Sequence, residues 1–191
     1  MRIHSKRFSQ VIKDKAVKVE DLAASIVTPG KGINNQAKAE SAIRNWMRGS
    51  DHPRCRAEHI KKLSTSLQVS PASIAKFTAL FKFEHGSPRK TKLLTDLIRG
   101  KDFETALNLL TFNIKRSAVD VKKALQAASD DAERFEADTL DLVVEEACSD
   151  EGPVMKRFHQ KDRGRAHRII KRMTHITVSL VEKQSASTGK R

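Results

Sequence analysis

The sequence is poor in features that mark membrane, secreted and catalytic proteins. It has no apolar run of about 18 residues, so we expect no transmembrane helix and no membrane partner. Its first residues, MRIHSKRFSQVIKDK, are charged and lack the apolar centre of a signal peptide. Only two cysteines occur, Cys55 and Cys148, far apart in the chain. This usage predicts reduced thiols in a cytoplasmic protein.

Catalytic and metal-binding patterns are also missing. No glycine-rich phosphate loop, nucleophile elbow or partnered pair of carboxylates occurs, so we do not expect an enzyme. His52, Cys55 and His59 have a loose metal-ligand spacing, but no fourth ligand lies nearby and structural zinc requires four. We therefore expect neither a metal ion nor another cofactor.

Positive charge is what the chain has in excess. Its 37 Lys and Arg against 23 Asp and Glu give a net charge of +14 and a pI near 10.0. Residues 1–99 carry 20 basic and 8 acidic residues, residues 100–152 carry 6 and 13, and residues 153–191 carry 11 and 2. This basic, acidic, basic layout predicts localised contact surfaces for a polyanion, and RNA is the leading candidate.

The first 78 residues predict a small all-helical unit of four or five helices. Apolar residues recur at helical spacing in KVEDLAASIV, AKAESAIRNWMRGS and RAEHIKKLSTSLQ. Residues 28–36, TPGKGINNQ, have the composition of a loop, and Gly49 is a predicted helix stop. Ser70 and Pro71 have the residue types of an N-cap and a first helical position. We expect the helix that follows to turn four residues inward: Ile74, Phe77, Thr78 and Phe81.

The pattern changes near residue 79, and residues 79–184 predict a second domain of class α+β. A short strand over 79–85 precedes a helix that starts at Ser87-Pro88 and ends at Gly100. Helices are predicted at 102–110 and 114–135, and alternating apolar residues predict strands at 140–145 and around 176–181. We expect a disordered basic tail over 185–191.

The most basic segment lies between the last two strands. Eight basic residues and one acid, Asp162, occur between Met155 and Arg172. With apolar alternation on either side, this pattern predicts a long hairpin over about 152–172 that turns near Lys161–Gly164 and extends for about 30 Å. Because an isolated two-stranded ribbon is marginal in water, such an arm needs an external scaffold such as RNA. A solvated basic loop is the alternative.

These residues resemble the bacterial large-subunit ribosomal protein L-twenty-two family. The resemblance rests on DEGPVMKRF, GRA and HITV around the hairpin and on SPRKTKLLTDLIRGK upstream, and it covers about residues 80–183. It implies three helices against a small sheet, with a long hairpin. It also implies a cytoplasmic, ribosome-bound structural protein that binds large-subunit (23S) rRNA and neighbouring ribosomal proteins and supports subunit assembly. The family's hairpin lines the peptide exit tunnel, which makes the nascent peptide a partner near its tip.

The resemblance also implies which residues bind rRNA. They are polar or basic residues at the start of the first and third helices of this domain and along the hairpin: Ser87, Arg89, Lys90, Lys92, Lys115, Arg116, Lys156, Arg157, Arg163, Arg165, Arg168, Lys171, Arg172 and His175. The tunnel-facing tip is expected at Gln160, Lys161, Asp162 and Arg163. This tip departs from the family's usual Pro-Arg-Ala-x-Gly-Arg-Ala, because it contains an acid and lacks the proline.

Residues 1–78 precede the part that resembles this family. Three segments, VEDLAASI, AESAIRNWMRGSDHPR and AEHIKKLSTSLQVSPASI, resemble a phage-repressor helix-turn-helix, with the nine-residue loop in place of its tight turn. The groove-facing residues would be Lys38, Glu40, Ser41 and Arg44. Two interpretations stay open: a bundle docked on rRNA or on a ribosomal protein, and, as the alternative function, a DNA-binding regulator.

Overall fold

The computed structural model describes residues 1–27 and 33–183, which fall into two compact units. The first comprises residues 1–77 and 134–137 with residues 181–183, and the second comprises residues 78–133 and 138–180. The predicted α+β class is confirmed. The predicted tail over 185–191 and residues 28–32 of the predicted loop lie outside the described residues.

The N-terminal part of the chain is mostly helical, as its apolar spacing predicted. After the short strand β1 (Arg2–Ile3) it forms α1 (Ser5–Asp14), α2 (Val19–Ile26), α3 (Gln36–Met47), α4 (Ala57–Leu67) and α5 (Pro71–Ile74). Each long helix turns one apolar side inward, and the fully buried residues include Phe8, Leu22, Ile43, Ile60 and Leu63. The ring of Phe77 packs against that of Phe135, with centroids 6.1 Å apart.

Helix ends follow the predicted local chemistry at three places. The Ser70 hydroxyl accepts the Ser73 backbone N–H at 3.3 Å, with Pro71 at the first helical position. Gly49 and Gly100 each lie two residues past a helix end, with φ of +89° and +76°. A side chain would be strained in that left-handed region, so glycine suits both stops.

The helix predicted to start at Pro71 is confirmed, but its predicted continuation over residues 75–78 is wrong. The helix ends at Ile74, and strand β2 (Ala75–His85) begins immediately afterwards. Burial alternates along it, with Ala75, Phe77 and Ala79 inside, so the chain follows a period of two rather than a helical period. The predicted all-helical unit therefore also contains strand: β1 pairs antiparallel with the first two residues of β2.

In the second unit, three helices pack on an antiparallel sheet, as predicted. They are α6 (Pro88–Ile98), α7 (Phe103–Thr111) and α8 (Ser117–Glu133), followed by a 3-10 turn, Thr139–Asp141. The remaining strands are β3 (Leu142–Glu151), β4 (Met155–Gln160), β5 (Ala166–Lys171) and β6 (Met173–Glu182). The larger sheet has the strand order β1-β2-β6-β3, whereas β4 and β5 form a separate two-stranded sheet.

The core of this unit lies between the sheet and the helices. Leu142, Val144, Ile176, Val178 and Leu180 are buried, as their alternation predicted. Leu140 differs, because it falls in the 3-10 turn and is 67% exposed. The helices add buried residues spaced three or four apart: Leu94, Ile98, Val121, Leu125 and Ala128.

Candidate nucleic-acid interface

Strands β4 and β5 form the predicted hairpin, which we call the arm (residues 155–171). Six residue pairs connect them, from Met155 opposite Lys171 to Gln160 opposite Ala166. At about 3.3 Å per residue this ladder is about 20 Å long, and the tip beyond Gln160 lengthens the arm further. Every residue from 156 to 172 is exposed, so no side chain of that segment lies in a core of the domain.

The register sorts the arm's side chains onto two different faces, because directly opposed residues share a face and the faces alternate along each strand. One face, which we call the cationic face, holds two lysines, two arginines and two histidines together with two apolar residues: Arg157, His159, Lys161, Arg165, His167 and Lys171, with Met155 and Ile169. The other, which we call the mixed face, has two cations, Lys156 and Arg168, among Phe158, Ala166 and Ile170. Phe158 is 70% exposed and Ile170 is 51% exposed.

The tip closes at the predicted position through two consecutive left-handed residues. Arg163 has φ of +58° and Gly164 has φ of +69°. The Arg165 N–H donates to the Asp162 carbonyl at 3.3 Å, and the Lys161 N–H donates to the Arg165 carbonyl at 2.8 Å. Paired positive φ values are typical of tight hairpin turns, so this tip closes without the family's usual proline. Gln160, Lys161, Asp162 and Arg163 are all exposed there.

A break separates the arm from the larger sheet at Gly152 and Pro153. The Gly152 N–H donates to the Met173 carbonyl at 2.9 Å, whereas Pro153 has no N–H to continue a ladder. A Cβ at residue 152 would lie 3.2 Å from three atoms: Met173 O, Met173 Cβ and His175 Cε1. Close approach of two backbones therefore explains this glycine, and Arg172 and Glu151 form an ion pair of 3.6 Å beside it.

His175 is half-buried at the base of the arm. Its Nδ1 accepts the backbone N–H of Phe83 at 3.0 Å, and the two rings meet edge to face with centroids 4.9 Å apart. Phe83 has φ of +62°, an unusual conformation for a side chain of this size. Among the predicted rRNA-binding residues, His175 thus also has an evident role in holding β2 beside β6.

The start of α6 presents the predicted cations as expected. Ser87 occupies the N-cap position and Pro88 is buried, while Arg89, Lys90 and Lys92 are exposed. The Thr91 hydroxyl donates to the Ser87 carbonyl at 3.2 Å, and the Ser149 hydroxyl donates to the Pro88 carbonyl at 3.2 Å. The first turn is therefore fixed in place, and the Ser87 side chain itself makes no capping hydrogen bond.

Three parts of this candidate interface lie close together around Gly86. A Cβ there would lie 3.7 Å from Thr91 Oγ1, 3.8 Å from Ser117 Oγ and 4.0 Å from Thr174 Oγ1. These atoms belong to α6, to the start of α8 and to β6 at the base of the arm. Since Lys115 and Arg116 immediately precede Ser117 and are exposed, the two predicted helix-start groups lie at the same end of the domain as the arm.

Sequence reasoning missed two exposed apolar residues at the end of the second unit that carries these cationic helix starts, which we call the cationic end. Phe112 is 84% exposed and Ile114 is fully exposed, both in the connection between α7 and α8. Neither fits the helical spacing of the neighbouring helices, and both stand next to Lys115 and Arg116. The sequence did offer a sign of this exposure, because each residue is apolar, falls outside the helical spacing of its neighbours and lies close to cations. An exposed aromatic ring of this kind can stack on unpaired RNA bases.

Of the three residues with loose metal spacing, Cys55 and His59 are buried and His52 is exposed. Burial raises the pKa of the Cys55 thiol to about 12. His59 stacks on Trp46, with centroids 5.7 Å apart, and its Nδ1 accepts the Arg56 N–H at 3.3 Å. Burial also lowers the pKa of His59. Across residues 1–27 and 33–183, no group of three or more His, Cys, Asp or Glu side chains could hold a metal ion.

An exposed basic ribbon with two cationic helix starts near its base defines a structural RNA-binding protein. A family model described as Ribosomal protein L22p/L17e matches residues 79–181. Because this match covers more than half of the chain, the chain belongs to the L22p/L17e family of ribosomal proteins. It is accordingly a structural, rRNA-binding component of the large ribosomal subunit. In the part of the chain described, no helix is long and apolar enough to span a membrane.

Proposed function

We propose that this protein binds 23S rRNA through the cationic end of its second unit and through its arm, and that the tip of the arm lines the peptide exit tunnel. The observation that carries the proposal is the exposure of every residue from 156 to 172, with eight cations in a two-stranded ribbon. A ribbon of this kind gains little stability from itself, so its ordered shape depends on a surrounding partner. Neutralisation of phosphates by these cations would supply the binding free energy.

The two faces of the arm suit two different neighbours. We expect the cationic face to contact rRNA phosphates, because it carries four lysine and arginine side chains against two on the mixed face. The mixed face presents Phe158 and Ile170, which are suited to stacking on bases or to contact with a nascent peptide. The tip residues Lys161, Asp162 and Arg163 lie furthest from the larger sheet, and they are the residues that we expect nearest to the nascent peptide.

The cationic end of the second unit would anchor the protein. Arg89, Lys90 and Lys92 follow the start of α6, and Lys115 and Arg116 precede α8. Both helix starts add a positive dipole end to these side chains, which favours phosphate. Contact with several rRNA segments at one place would also support assembly of the subunit, next to neighbouring ribosomal proteins. We place this protein in cytoplasmic ribosomes.

Site-specific photocrosslinking from two positions tests the location of the tip. A crosslinking amino acid at Lys161 should capture a stalled nascent chain within large subunits, together with 23S rRNA. The same group at exposed Leu140 should capture no nascent chain. The protein should also co-sediment with large subunits and be released only at high salt, because counterion release makes its binding salt-dependent.

A shortened arm provides the matched control. Replacing Phe158–Arg168 by Asn-Gly would join Arg157 to Ile169, which are already opposite each other, through a favourable two-residue turn. This variant should still enter large subunits and should leave the tunnel wider at the position of the tip in a ribosome map. Recovery of the full-length protein only outside ribosomes would refute the whole proposal, whereas nascent-chain capture from Leu140 would refute the placement of the tip.

A further inference from the structure

The exposed side of α3 carries a row of cations that the match to the L22p/L17e family does not explain, because α3 lies before the matched region. Its buried side consists of Ala39, Ala42, Ile43 and Trp46. The opposite side exposes Lys38, Ser41, Arg44 and Arg48. At about 1.5 Å per residue, the row from Lys38 to Arg48 is about 15 Å long.

The loop after α3, residues 49–56, extends this row and is held in place by α3 itself. The Trp46 Nε1–H donates to the Pro53 carbonyl at 2.7 Å, and the Asn45 Nδ2–H donates to the His52 carbonyl at 2.8 Å. Asp51 accepts the Cys55 N–H at 3.0 Å. The loop thus has a defined shape, and two more cations, Arg54 and Arg56, are exposed on it.

Acidic residues do little to offset this charge. Between residues 36 and 56 there are five basic residues and two acidic ones, Glu40 and Asp51. Glu40 pairs with Arg44 at 3.6 Å, and Asp51 pairs with Arg2 at 3.4 Å. Within the described residues, Lys38, Arg48 and Arg54 form no ion pair with an acidic side chain. These three exposed cations on α3 and the following loop are therefore free to meet an external anion.

We propose that the exposed side of α3 and the loop 49–56 form a second rRNA-binding surface, which contacts the phosphate backbone of an rRNA helix. The proposal rests on the protein's place in the large subunit. Once the second unit is bound there, the residues before it are held close to rRNA, so the effective concentration of rRNA around α3 is high. We favour phosphate contact over the reading of DNA bases, because the Asn45 amide is bonded to the loop and Glu40 is paired with Arg44. Of the four groove-facing candidates from the sequence, Lys38 and Ser41 remain exposed without a described partner.

Directed hydroxyl-radical probing of assembled large subunits tests this surface. A Ser41→Cys substitution in a Cys148→Ser background carries an iron chelate, and buried Cys55 is left unlabelled. The probe should cleave a compact set of 23S rRNA nucleotides. Adding Lys38→Gln, Arg48→Gln and Arg54→Gln should remove most of that cleavage, while the protein stays in the subunit through its second unit.

The matched control removes the same charge from α1 and from the residue before α2, in the same unit. Lys6, Lys13 and Lys18 are exposed, so replacing all three by Gln lowers the net charge equally. This control should leave the cleavage from position 41 unchanged. Absence of rRNA cleavage from position 41 in subunits that contain the protein would overturn the inference, as would equal loss in both triple variants. Protection of one defined DNA sequence by the full-length protein would also overturn it. Absence of the protein from large subunits would instead refute the proposed function.

Discussion

The division of the arm into a cationic and a mixed face leads to a quantitative prediction about salt. Arg165→Gln with Lys171→Gln removes one arginine and one lysine from the cationic face. Arg168→Gln with Lys156→Gln removes the same residue types from the mixed face. Both double variants have the same net charge, and all four side chains are exposed, so folding should be unaffected. Any difference between the variants in rRNA affinity therefore reports which face contacts phosphate.

The expected magnitude follows from counterion release. Each neutralised phosphate contributes about 0.7 to 0.9 to the slope of log affinity against log salt. Two lost contacts should lower that slope by about 1.4 to 1.8. Over a fourfold rise in salt, the wild type should therefore lose roughly tenfold more affinity than the cationic-face variant. The mixed-face variant should keep a slope close to that of the wild type.

The measurement is the affinity of the full-length protein for a large-subunit rRNA fragment, by filter binding across a salt series. The triple change Lys6→Gln, Lys13→Gln and Lys18→Gln corrects for the general effect of lower charge. Equal slopes in the two arm variants would refute the assignment of the faces. A slope unchanged by either variant would show that the arm does not contact rRNA phosphate at all.

Three further predictions concern packing and titration. Gly152→Ala should destabilise the protein by about 1 to 3 kcal/mol in urea unfolding, because the added Cβ would lie 3.2 Å from the Met173 carbonyl oxygen. An unchanged midpoint of unfolding would mean that the backbones at Gly152 and Met173 can move apart. Burial, and secondarily the charge of a nearby arginine, lowers the pKa of His59 from its usual value of 6.5. The contribution of neutral His59 to the free energy of unfolding is therefore complete above pH 6.5 and declines as the pH falls below it. His59→Phe should abolish this decline. Burial raises the pKa of Cys55 to about 12, so iodoacetamide should label half-exposed Cys148 first in the folded protein, and equal rates would contradict the burial of Cys55.

The second unit was largely predictable because its local patterns agree with its final structure. Alternating apolar residues around Val144 and Val178 marked β3 and β6, two of the four strands of the larger sheet. Ser87-Pro88 and Gly100 marked the start and end of α6. The hairpin was predictable from a basic run between two strand patterns. In each case the sequence period, the terminal residues and the burial favour one and the same type of element.

Other features depended on contacts that a sequence pattern does not contain. The helix predicted past Ile74 failed because pairing with β1 and burial of alternate residues stabilise β2 from Ala75 onward. The bond between His175 and the Phe83 N–H joins residues 92 positions apart. The meeting of α6, α8 and β6 at Gly86 is equally a product of the tertiary fold. Local periodicity predicts whether a segment forms a helix or a strand, but it does not predict which distant residues that segment contacts.

The arm itself follows rules different from those of the rest of the chain. His159 stands opposite His167, Lys161 is bonded through its backbone to Arg165, and these like residues face each other across the ribbon. Opposed like charges and exposed Phe158 and Ile170 both lower the stability of an isolated hairpin. A sequence that breaks local rules at one place is typical of a functional site, where a partner compensates. Phosphates bound to the cationic face would offset the repulsion between its cations. The features that weaken the free arm are therefore the ones that would favour its binding to rRNA.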